Sequence, residues 1–233
     1  MALPKLTTPT YTMTIPSTGQ EIDYRPYLVK EEKVLMIAME SDDGKQITKA
    51  IKDVVQACTM DKVDGSKLTL FDIEYMFTKL RSKSVGETSR VTLPCENCEA
   101  TNEVTINIDT LRTGELPNSK IELTSDTGLI MKFPNLTEYM ELVESDMETI
   151  DKIFALAAAS IEEIYSGDEV FDAKSQTKAE MVEFVEGLNA QQFAKIKEFI
   201  DGMPQATIDV NFKCVECSHD NNIELRGLRN FFN

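Results

Sequence analysis

The period of the apolar positions changes several times along the chain, and each change predicts a new element. Tyr11, Met13 and Ile15 alternate with polar residues, a turn covers 16–20, and Ile22 and Tyr24 resume the alternation. This pattern predicts a β-hairpin. After Pro26 the spacing becomes helical. Val34, Leu35, Ile37 and Ala38 are expected on one face of a first helix, with Lys30, Glu31, Glu32 and Lys33 leading in. Asp42, Asp43 and Gly44 interrupt it. A second helix carries Ile47, Ile51, Val54, Val55 and Cys58, and a third opens at Thr69 with Phe71, Ile73, Met76, Phe77 and Leu80. Thr69 is a suitable N-cap, and the three helices are expected to form one layer.

From Thr88 the period is two again. Val91 and Leu93 alternate with polar residues, a Cys-x-x-Cys turn follows, and Val104, Ile106 and Ile108 alternate after it. A further hairpin is predicted from Ile121 and Leu123, a turn at 125–128, and Leu129, Met131 and Phe133. Residues 137–202 read as mostly helical, with segments over 137–143 and 148–164 and a turn at 165–169. Thr177 with Glu180 fits a capping box, and Asn189 with Gln192 fits another. Gly202 and Pro204 end the helical stretch. Ile208, Val210 and Phe212 then return to strand, followed by a second Cys-x-x-Cys, by Ile223 and Leu225, and by an apolar tail of Leu228, Phe231 and Phe232.

The two cysteine pairs belong to an internal repeat. A shift of 119 positions carries Val91, Leu93, Cys95, Cys98, Asn102, Val104 and Ile106 onto Val210, Phe212, Cys214, Cys217, Asn221, Ile223 and Leu225. Each copy reads strand, tight turn, strand. Each turn presents two thiolates on one side, and two turns supply the four sulfurs that tetrahedral zinc takes. Cys95, Cys98, Cys214 and Cys217 are therefore the candidate ligands of a structural zinc ion. The 115 residues between Cys98 and Cys214 exceed the usual spacing of a zinc ribbon. Loop-closure entropy grows only logarithmically with length, so a long insertion remains compatible with such a site.

Other uses of these cysteines are weighed against zinc. Two disulfides are disfavoured in a reducing compartment. A redox pair needs a helix N-terminus beside it to activate a thiol, and both pairs here are flanked by strands. Buried cysteines without a metal remain open as an alternative. Cys58 falls on the apolar face of a helix and reads as a small buried hydrophobe. His219, two residues past Cys217, could touch the metal but reads more simply as part of a solvated turn.

Composition narrows the function. The chain has 233 residues with 42% apolar and 27% charged, ordinary for a globular protein. Forty acidic residues against 24 basic give a net charge of −16. Phosphate backbones and anionic membranes would repel such a chain, so neither nucleic acid nor membrane is an expected partner. Basic protein surfaces would attract it. The longest apolar run, Ile153 to Ile161, is far short of a membrane span, and no signal segment is evident at the N-terminus, so a reducing cytosol is expected.

Catalytic patterns are missing. One histidine and ten unclustered glycines leave no histidine-based triad, phosphate loop or dinucleotide turn. The acidic pairs Glu31/Glu32 and Glu162/Glu163 are sequence neighbours in expected helices and do not converge. The reading is of a protein that is not an enzyme.

Several stretches resemble one family. Ile22–Lys33 (IDYRPYLVKEEK), Ile161–Phe171 (IEEIYSGDEVF), Phe193–Phe199 (FAKIKEF), Met203 with Pro204, the second cysteine pair and the ending Gly227–Phe232 (GLRNFF) together resemble the baseplate hub assembly proteins of T-even-like contractile-tailed bacteriophages. The resemblance implies a small non-enzymatic phage protein that helps build the baseplate hub. It would act in the host cytoplasm during assembly and could remain in the virion tail. Other baseplate hub proteins would be its partners.

The expected fold is α+β: a helical body with β-hairpins and a four-cysteine zinc-ribbon-like module made by two distant hairpins. Expected regions are 1–87 (hairpin and helices), 88–109 with 206–227 (ribbon module) and 110–205 (inserted hairpin and helices). A zinc-ribbon regulator binding nucleic acid or a polymerase is the alternative reading, and the acidic charge opposes it.

Overall fold

The computed structural model describes residues 6–226. The tail residues Leu228, Phe231 and Phe232 lie outside the described residues. The chain divides into two compact units, Met1–Gly114 with Gln205–Asn233, and Glu115–Pro204.

The first unit opens with the expected hairpin. Strands β1 (Tyr11–Thr14) and β2 (Glu21–Tyr24) pair antiparallel. Met13, Ile15, Ile22 and Tyr24 turn inward. Three helices follow: α1 (Val29–Glu40), α2 (Gly44–Cys58) and α3 (Leu70–Ser84). Helix α2 buries Ala50, Ile51, Val54, Val55 and Cys58, the stripe its periodicity demands. Thr69 caps α3, and Asp72 completes the box by accepting from the Thr69 N–H at 3.0 Å. Asp72 is fully buried. Its other oxygen accepts the Ser17 N–H at 2.8 Å, which ties the N-terminal hairpin turn to the helix.

Helix α1 departs from expectation. Leu35 and Ala38 are buried, but Val34, Met36, Ile37 and Met39 are exposed. At 3.6 residues per turn, positions 34, 35, 37 and 38 span about 160° of arc. The buried residues of α1, Glu31, Leu35 and Ala38, form a narrower stripe. The first turn of α1 also buries Glu31. Its carboxylate accepts the Leu28 N–H at 2.7 Å and pairs with Arg25 at 3.0 Å. The pair satisfies a charge that burial would otherwise penalise.

Two further hairpins complete this unit. Strands β3 (Thr88–Pro94) and β4 (Thr101–Asn107) pair antiparallel. A 3-10 turn at Ile108–Thr110 leads to the short β5 (Arg112–Thr113). After the second unit, β10 (Ala206–Lys213) and β11 (Asp220–Arg226) form the matching hairpin, and β10 also pairs with β5. The apolar faces of the two hairpins share one core of Val91, Leu93, Ile106, Leu111, Ala206, Ile208, Val210 and Leu225.

The second unit is a four-stranded antiparallel sheet with four helices. Its elements are β6 (Lys120–Glu122), β7 (Thr127–Met131), α4 (Leu136–Glu144), α5 (Thr149–Ala159), β8 (Ile161–Ser166), β9 (Glu169–Asp172), α6 (Lys178–Glu186) and α7 (Ala190–Asp201). The strand order is β6-β7-β8-β9. Capping boxes at Asn135/Glu138, Thr177/Glu180 and Asn189/Gln192 start three of the helices. The core holds Leu129, Met131, Ile161, Met181, Val185, Ile196 and Phe199.

The helix expected over 148–164 ends at Ala159, and 161–166 is a strand. The misleading signal has a structural cause. Ile130 faces Glu163 while Met131 faces Ile161, so the ladder carries a bulge at Glu162. A bulge adds one residue to a strand. Ile161 and Ile164 are thereby spaced by three, a helical interval, although both belong to a strand.

Candidate metal centre

The four candidate cysteines converge. The Sγ atoms of Cys95, Cys98, Cys214 and Cys217 all lie within 4.8 Å of one another. Cys95 and Cys217 are 3.7 Å apart, as are Cys98 and Cys214. Those separations are far too long for disulfides, which measure about 2.05 Å, and all five cysteines of the chain are free. A tetrahedron with metal–sulfur bonds of about 2.3 Å has sulfur–sulfur edges of about 3.8 Å. The cage therefore fits a tetrahedral ion, and its all-thiolate donor set is one that zinc accepts.

Each hairpin builds its half of the cage in the same way. The Cys95 N–H donates to the Ala100 carbonyl, and the Glu99 N–H donates to the Cys95 carbonyl, both at 2.9 Å. In the second hairpin the Cys214 N–H donates to His219 at 2.9 Å and the Ser218 N–H to Cys214 at 3.0 Å. Glu99 and Ser218 both have φ of +59°. This left-handed residue after the second cysteine of each pair turns the chain back into its return strand. The 119-residue repeat is thus a repeat of structure down to single hydrogen bonds.

Inner and outer sulfurs differ. Cys95 and Cys214 are buried, while Cys98 and Cys217 are exposed. Burial opposes the Cys95 thiolate, but the N–H groups of Cys98 and Asn97 and the neighbouring thiols favour it, and its pKa falls to about 6. Cys214 is lowered as well, chiefly by the Cys217 N–H. At Cys98 the Ala100 N–H favours the thiolate, yet Cys217, burial, Cys214 and Cys95 outweigh it, and the pKa is pushed up to about 12. Sulfurs this close do not all ionise unless a cation joins them. The Asn97 amide approaches Cys217 Sγ at 3.7 Å.

The family model described as T4 bacteriophage base plate protein matches residues 8–233. The chain belongs to that family. Membership in the T4 baseplate family makes it a T4-like phage baseplate protein with a structural role in the tail baseplate. No curated protein and no solved structure matches the chain.

The remaining candidates fall outside the cage. Cys58 is fully buried, and burial pushes its thiol up to about 11. His219 is exposed, and the cluster able to hold an ion consists of the four cysteines alone among the described residues. His219 contributes its main-chain carbonyl to the turn. The repeat aligns Asn102 with Asn221 without itself assigning them a role. In the structure each accepts a main-chain N–H from the opposite cysteine turn. Their signal was the repeat itself, which preserved an asparagine at the same offset from each cysteine pair. Among the described residues no helix is long and apolar enough to cross a membrane.

Proposed function

We propose that this baseplate protein is a non-enzymatic component of the tail hub or of its assembly, with one structural zinc ion held by Cys95, Cys98, Cys214 and Cys217. Family membership supports the baseplate role, and the sulfur cage carries the zinc reading. A closed set of four thiolates leaves no open position for a substrate or water, so the ion would serve folding. It would join two cysteine pairs separated by 115 residues of chain. Other hub proteins would dock on the remaining surface, where the charge of −16 favours basic partners. Assembly would take place in the host cytoplasm before the protein enters the tail.

Elemental analysis of the purified full chain tests the site, with one zinc per chain expected and none after Cys95→Ser with Cys214→Ser. A metal-free protein with an unchanged melting profile would remove the zinc reading. Co-purification with individual hub proteins from phage-infected cells tests the hub role. Recovery of other baseplate proteins with no hub protein among them would overturn it.

A further inference from the structure

The zinc reading accounts for four sulfurs but not for two buried asparagines beside them. Asn102 is 2% exposed and Asn221 is 3% exposed. A buried amide without partners is costly, and these two are well supplied. The Asn102 Oδ1 accepts the Val215 N–H at 2.9 Å, and its Nδ2 donates to the Ala100 carbonyl at 2.7 Å. The Asn221 Oδ1 accepts the Glu96 N–H at 2.8 Å, and its Nδ2 donates to the His219 carbonyl at 3.1 Å. The shift of 119 carries Asn102 and Ala100 onto Asn221 and His219, and its reverse carries Val215 onto Glu96, so the two sets correspond by exchange of the hairpins. Each asparagine fixes its own amide on its own turn and reaches across to hold the other.

The turn donors then have a complete assignment. In the first turn the N–H groups of Asn97 and Cys98 favour the Cys95 sulfur, and the Glu96 N–H goes to Asn221. In the second turn those of Glu216 and Cys217 favour Cys214, and the Val215 N–H goes to Asn102. We propose that Asn102 and Asn221 are positioning residues of the metal cage, which hold the two cysteine turns in register so that the four sulfurs meet at coordination distance. This inference rests on the zinc reading and deepens it. The side chain must offer an acceptor and a donor in one short planar group. Aspartate keeps the acceptor and loses the donor to Ala100 or His219. Alanine loses both and leaves a main-chain N–H of the opposite turn unpaired.

The test compares zinc-loaded full-length wild type with Asn102→Ala, Asn221→Ala, the double variant and Asn102→Asp. Asn222→Ala, on an exposed position of the same strand, is the control. Zinc transfer to a chromogenic chelator measures retention, and the absorption of the cobalt-loaded protein reports cage geometry. Groups that orient metal ligands typically contribute about 10–100-fold in metal affinity. Each alanine variant is expected to lose zinc affinity in that range and to shift the cobalt bands. Asn102→Asp is expected to fall between alanine and wild type, and the control to match wild type. If the double variant does not fold, the single variants carry the comparison, since each keeps one clamp. Alanine variants that hold zinc and cobalt as wild type does would overturn the positioning role and leave the zinc site standing. A wild type that binds neither metal would overturn the zinc reading, and this inference with it.

Discussion

The two units reach stability by different routes. The second unit, Glu115–Pro204, is one continuous segment. It stacks Phe133 on Phe199 with ring centroids 4.7 Å apart and Phe154 on Phe193 at 5.0 Å. Three of its four helices begin with their own capping boxes, and its apolar core closes without distant chain. The first unit must gather segments from both ends of the sequence. Its two cysteine hairpins share a small core, and above that core lie the sulfur cage and the crossed asparagines. Packing of local chain suffices in one case. In the other, two buried asparagines and four clustered thiols that could hold an ion sit at the junction of distant segments.

On the zinc reading proposed above, that contrast can be broken most directly at the four sulfurs. Cys95→Ser with Cys214→Ser, or a strong chelator, should remove an appreciable share of the roughly 10–16 kcal/mol that thiolate zinc sites supply in small folds. Calorimetry should then show a large drop in one transition and little change in the other. A single transition that moves as a block would sink the contrast. Acid should act in the same direction, because protons compete with the ion for the sulfurs. Zinc release into a chelator is expected to quicken as pH falls.

The reciprocal experiment comes next in size. Phe199→Ala should cost about 3–5 kcal/mol in the second unit, through lost burial and the cavity left behind. Zinc content should stay at the wild-type level, and elemental analysis checks this. Asp72→Ala sharpens the picture within the first unit. It strips partners from the Ser17 and Thr69 N–H groups and removes half of a capping box, for about 2 kcal/mol by chemical denaturation. The smallest effect is expected at Arg112. Its bidentate pair with Asp209, at 2.8 and 3.0 Å, is exposed on both sides. Arg112→Ala should cost below about 1 kcal/mol, and less at high salt.

Much of this organisation was legible in the sequence. Period-two apolar positions gave the hairpins, and the 119-residue repeat exposed the paired cysteine turns. Thr69, Thr177 and Asn189 announced their helices, because a cap is a local device written in neighbouring residues. The unread parts depend on chain that is not adjacent. The bulge at Glu162 disguised β8 as helix, since it is defined by the register against β7. The exposure of Val34 and Ile37 depends on how little of α1 its neighbour covers. Asn102 and Asn221 were visible as repeated letters, but their partners, Val215 and Glu96, lie more than 100 positions away.

The way the second unit is spliced in has a mechanical consequence. The chain leaves the first unit after β5 and returns on β10, and those strands are antiparallel neighbours joined at Thr113 with Ala206 and at Arg112 with Thr207. Tension drawing Gly114 away from Gln205 would load these bonds one after another, as in unzipping, and not all at once in shear. The short β5 pairing and the Arg112–Asp209 bridge would yield first. A pull on the inserted unit would thus act first on this edge of the β11-β10-β5 sheet, before the β10–β11 ladder opened.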